Sequence, residues 1–275
     1  MSEQKEEPLM NIQTTHTAVR PAWIGAISAE AVKLWSLLSN RILLLVPVAM
    51  IAGSGGMLAY GMIARLTDER FAGQEIAATP MMFVDSVLWA QIVVAIIAVL
   101  AVTNEYASGQ VRLSLLAVPT RIPWLGAKAL VLGIAGFLVG VIGSTIALGI
   151  SAAVLPGTEV HYEIEFGEAA LLSVKSGLYL AMIAIFVIGV TAVIRHVVAA
   201  LVTVLALLIV LPPILSSIPG VSDATDYLPT IAGRRLISDF ETAAQLTPWV
   251  GFGILTIWAV GVLVLSGVLL KTRDA

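Results

Sequence analysis

The chain has 275 residues, of which 59% are hydrophobic and only 12% charged, and its mean hydropathy is +0.98. Soluble domains carry about 25% charged and about 45–50% apolar residues, so the composition excludes an ordinary water-soluble fold and predicts an all-α integral membrane protein. The lack of cysteine excludes disulfides and thiolate metal sites, and a formal net charge of -3 offers nothing to a nucleic-acid partner.

Residues 1–20 are polar and lack the apolar core of a cleavable signal. They are expected to form a disordered cytoplasmic tail, followed by a single six-span domain over 21–275. Residues 23–38 come next. Trp23, Ile27, Leu34, Trp35, Leu37 and Leu38 recur at helical spacing, whereas Glu30, Lys33 and Ser36 fall mostly off that stripe. The pattern predicts a helix lying flat in the membrane interface, with its tryptophans at headgroup level.

About 20 apolar residues are needed to cross a hydrocarbon core of about 30 Å. Six windows qualify: 42–64, 83–102, 125–155, 170–194, 197–218 and 249–270. An even number of spans puts both termini on one side. That side carries Lys5, Arg20, Lys33, Arg41, Arg112, Arg121, Lys128, Arg195, Lys271 and Arg273, against Arg65, Arg70, Arg234 and Arg235 opposite. The bias predicts cytoplasmic termini.

Within the spans, Gly136-x3-Gly140 suits close helix packing, by default within the chain. Pro212-Pro213 near the end of the fifth span reads equally as a helix stop or a kink. Residues 159–166 alternate, with Glu159, His161, Glu163 and Glu165 opposite Val160, Tyr162, Ile164 and Phe166. The alternation predicts a half-buried extended segment with a solvated polar face rather than a metal site. In the last outer loop, 219–248, Leu236, Ile237, Phe240, Ala243 and Ala244 predict a short amphipathic helix. Thr247-Pro248 then reads as an N-cap and first helical position.

Chemistry is sparse. There is no G-x-x-x-x-G-K-[ST] phosphate loop and no H-E-x-x-H, and the three histidines (His16, His161, His196) are scattered. The span centres hold Gln91, Thr145, Thr191, Thr203 and Thr256 but almost no ionisable group, which weakens any reading as a proton-coupled carrier. No catalytic, cofactor or metal site is predicted on this chain.

The connector between the second and third spans is different. Glu105, Gly109, Arg112, Pro119, Arg121 and Lys128 set out a carboxylate at a span end, a turn-forming glycine, and basic residues around a short helix whose apolar side is Val111, Leu113, Leu115 and Leu116. This order resembles the membrane subunit of ATP-binding-cassette exporters of the type-2 permease family. Residues 29–35 (Ala-Glu-Ala-Val-Lys-Leu-Trp) resemble the family's interfacial elbow, and Tyr227-Leu228-Pro229-Thr230 resembles its approach to the sixth span. Gln110 departs from the usual Thr or Ser.

The resemblance covers about residues 25–272. It implies a multi-pass permease of the bacterial cytoplasmic membrane that exports a hydrophobic or amphipathic compound. It also implies a cytoplasmic ATP-binding subunit carrying ATP and Mg, and a second permease copy, with membrane lipid as surroundings. The connector residues would couple to the ATPase. Glu105 would pair with Arg112 or cap the next helix, and Arg121 and Lys128 would meet lipid headgroups or the partner. The other reading is a non-transporting membrane scaffold or sensor subunit.

Overall fold

The computed structural model describes residues 22–36, 38–108, 121–238 and 246–272. Among these, secondary structure is helical, with no strand longer than a single bridge. Helix α1 (Ala22–Ser36) leads into α2 (Leu38–Leu66). Short α3 (Pro80–Val84) and long α4 (Val87–Ala107) run on as one span, followed by α5 (Arg121–Val154) and α6 (Phe166–Ile194). The fifth span is α7 (Val197–Leu205), a π turn (Ala206–Val210) and α8 (Leu211–Ser216). Two short helices, α9 (Ser222–Thr225) and α10 (Pro229–Arg234), precede α11 (Pro248–Thr272), which opens at Pro248 as the Thr-Pro pair predicts.

Six helical segments are long and apolar enough to cross a membrane: Leu38–Leu66, Pro80–Ala107, Ile122–Val154, Phe166–Ile194, Val197–Ser216 and Pro248–Leu270. They match the six windows in order, and most run a few residues further because polar residues continue the helices beyond the hydrocarbon. In α6 72% of the apolar window is buried, against 22% in α2 and in the fifth span. Helix α6 is therefore the central pillar, apolar all round because protein surrounds it.

Small residues set the closest approach. A Cβ on Gly140 would lie 2.6 Å from the Ser176 carbonyl oxygen and 2.7 Å from the Gly177 backbone. Gly136 and Gly140 thus bring α5 onto α6 within the chain. Gly55 of the first span meets Ala147 of α5 in the same way.

Two elements differ from expectation, and the alternating segment 159–166 is extended and half-buried as read except at its last residue. The Pro212-Pro213 pair neither stops the helix nor leaves a simple kink. The helix continues to Ser216, and the strain is taken up by the π turn just before it, where the Leu211 N–H donates to the Ala206 carbonyl. Prolines cannot donate to the preceding turn, so a widened turn accommodates the missing bonds. Residues 159–166 make one parallel bridge, in which Ala78 N–H donates to His161 O (3.0 Å) and His161 N–H to Ile76 O (2.9 Å). Phe166, expected inward, is 89% exposed because it opens α6 at the bundle's end. Finally, Leu236 and Ile237 lie fully buried in a turn rather than starting a helix. Pro229 nucleates α10 earlier in that loop. Residues 239–245, which would complete the predicted helix, lie outside the described residues, as do 1–21.

Candidate functional site

Glu105 closes the second span in the last turn of α4. Lys128 stands two turns inside α5, at the start of the third. Glu30 and Lys33 share one face of α1, three residues apart. The fold brings all four together. Lys128 Nζ donates to Glu30 Oε2 (2.6 Å), Glu105 Oε1 (2.9 Å) and the Ala101 carbonyl (3.1 Å). Lys33 Nζ donates to Glu30 Oε1 (2.8 Å) and Glu105 Oε1 (2.8 Å). The remaining oxygen, Glu105 Oε2, accepts from Trp124 Nε1 at 3.0 Å.

Every carboxylate oxygen therefore accepts a hydrogen bond, and two negative charges face two positive ones. Neutrality and full pairing are what make such a group tolerable away from water. A lone buried charge costs several kcal/mol (order of magnitude), and a paired one is strongly destabilised only when a partner is removed. Glu30, Glu105 and Lys128 are buried, whereas the Lys33 side chain keeps 42% of its exposure. Partial desolvation pulls the Lys33 pKa down, but hydrogen bonds and charge from Glu105 and Glu30 outweigh it, and the net shift is above 10.5.

Aromatic side chains close the cluster. The Lys128 ammonium lies 5.5 Å from the Trp124 ring centre. Tyr106 meets Trp124 edge-on at 6.2 Å and carries Arg195 over its ring at 5.6 Å. Arg195 holds the tight turn between the fourth and fifth spans, with φ +61° and its N–H bonded to the Thr191 carbonyl (2.8 Å). One end of the bundle is thus tied across α1, α4, α5 and the α6–α7 turn.

The sequence singled out Glu105 and Lys128 for the connector and Glu30, Lys33, Trp23 and Trp35 for the interfacial helix. It treated them as two sites. The structure makes Glu30, Lys33, Glu105 and Lys128 one site, and leaves Trp23 and Trp35 of α1 exposed and outside it. Lys128 does not face lipid or a partner, because all three of its donors are used inside the bundle. Gly109, Arg112 and Pro119 lie outside the described residues, and Arg121 is the first residue of α5. Trp124 was missed. Its signal was an indole four residues from a lysine on a span end, where a polar N–H needs an acceptor.

Near the middle of the bundle, Tyr179 of α6 is fully buried and donates to Gln91 Oε1 of α4 at 2.7 Å. A cleft of about 250 Å3 runs from Gln91 to the π turn and Pro212, roofed by Thr230 and Arg234 of α10. Arg234 reaches Asp85 at 3.3 Å. His161 pairs with Glu75 at 3.2 Å, and among the described residues no three metal-ligating side chains converge. Compared with protein-family models and with curated proteins, the chain finds no match.

Proposed function

We propose that this chain is the membrane-spanning permease subunit of an ATP-driven exporter, drawing energy from a separate cytoplasmic ATPase that docks on residues 109–120. The observation that carries this reading is the tie between the two ends of the connector. Glu105 before it and Lys128 after it are bonded to each other and to α1. A push on the connector then displaces the second and third spans together with α1, instead of dissipating in a loose loop. A connector needed only for topology requires charge but not this closure. The α1 end is the cytoplasmic end, by the lysine and arginine bias. Trp23, Val32, Trp35 and Leu38, exposed from the protein, then rest in the headgroup layer.

The cleft beside Gln91 offers a mostly apolar path with a few polar groups, suited to an amphipathic cargo. Among the described residues the spans hold no buried chain of carboxylates, lysines or histidines outside the cluster, which favours an external energy source over proton coupling.

The reading is tested in proteoliposomes holding this chain with its ATPase. Leu115→Asp places a charge on the connector's apolar side and leaves the buried cluster intact. It should abolish ATP-dependent transport and lower co-purification of the ATPase, with the chain still inserted and folded. Undiminished transport by that variant refutes the coupling role. A scaffold subunit would show no ATP-dependent transport in the wild type either.

A further inference from the structure

A coupling role leaves one part of the charge cluster unused. Lys128 spends all three N–H groups inside the protein, whereas Lys33 spends two. The third N–H of Lys33 has no acceptor among the described residues. Its side chain lines a cleft of about 230 Å3 opening between α1, α2, α4 and α5. The polar wall is the neutral cluster itself, Glu30, Lys33, Glu105 and Lys128, with Asn40 and the exposed Asn104 beside it. The floor is apolar: Leu34, Leu43, Leu100 and Val131.

The cleft lies at a specific depth. Asn40 on its rim is in the first turn of α2 and Glu105 in the last turn of α4. Helix α2, at 29 residues, is about 43 Å long, longer than a hydrocarbon core of about 30 Å. With both ends of that helix projecting beyond the hydrocarbon, the cleft mouth would open at the level of lipid headgroups and its floor at the first methylenes. An ammonium at the mouth of an apolar slot at that depth is the arrangement that a phospholipid completes.

We propose that this cleft binds one glycerophospholipid from the leaflet at the α1 end. The phosphate accepts the third N–H of Lys33, and the upper acyl chain lies on Leu34, Leu43 and Leu100. Two carboxylates already share that ammonium and the cluster is neutral, so charge alone does not hold the ligand. The apolar floor supplies the rest, and for that reason a lipid fits where free phosphate does not. The proposal needs only the membrane placement, not an ATPase partner, so either reading can fail without the other.

Native mass spectrometry of the full chain, purified in mild detergent and incubated with phosphatidylethanolamine micelles, tests it. One phospholipid per chain should be retained. Leu100→Trp fills the floor without touching the four charges, and Lys33→Met removes the donor. Each should weaken retention about tenfold, whereas Lys33→Arg should keep it. Excess inorganic phosphate should displace nothing. Three results would overturn the proposal: no lipid retained by the wild type, wild-type retention in a Leu100→Trp chain that melts normally, or displacement by inorganic phosphate, which would make this a free-anion site.

Discussion

Each N–H of Lys128 has an acceptor, and each oxygen of Glu30 and Glu105 has a donor. Glu105→Gln removes one negative charge and leaves two ammoniums sharing Glu30. This should lower stability in detergent by about 3–5 kcal/mol, read from thermal or denaturant unfolding. The double change Glu105→Gln with Lys128→Gln restores neutrality and should recover part of that loss, a coupling that a double-mutant cycle measures. Lys33 adds a pH dependence with a defined sign. Its folded pKa is raised, so its contribution is complete below 10.5, the unfolded value, and disappears as pH rises through the higher folded value. Unfolding midpoints should hold up to that range and then fall, and Lys33→Met should flatten the fall. Glu30 and Lys33 were visible in the sequence as residues off the apolar stripe of α1. Their partners were not, because Lys128 lies 98 residues from Glu30 and only packing brings them together.

At the scale of helices, small residues decide where elements touch. Gly140→Val would drive side-chain atoms into the backbone of Ser176 and Gly177, and should cost about 1–3 kcal/mol in unfolding measurements. Gly126, also in α5, has open space around it. Gly126→Ala should therefore be neutral or stabilising by about 0.5–1 kcal/mol, since alanine is the better helix former. The six spans were legible in order because a hydrocarbon core demands long apolar runs, a signal carried by each segment alone. The π turn was not. It is the fold's answer to Pro212 and Pro213, and nothing in Ala206–Val210 itself distinguishes it from ordinary helix. Leu236 and Ile237, read as the first apolar positions of a short helix, pack buried from a turn, while the rest of that predicted helix lies outside the described residues.

For the whole molecule, a cysteine-free chain allows clean placement of single thiols. With the α1 end cytoplasmic, Glu69→Cys in the first outer loop should react with a membrane-impermeant thiol reagent in intact cells, and Ser114→Cys in the connector should not. The reverse pattern would invert the topology. In the proposed transporter, the connector whose ends meet at Glu105 and Lys128 is seated on an ATP-hydrolysing subunit. The most direct measurement is site-specific crosslinking from Ser114→Cys in native membranes, followed by identification of the product. A crosslink to a nucleotide-binding subunit carrying a G-x-x-x-x-G-K-[ST] phosphate loop is expected, absent from the Glu69→Cys control. A connector thiol that reacts freely with cytoplasmic reagent yet yields no such product would contradict it.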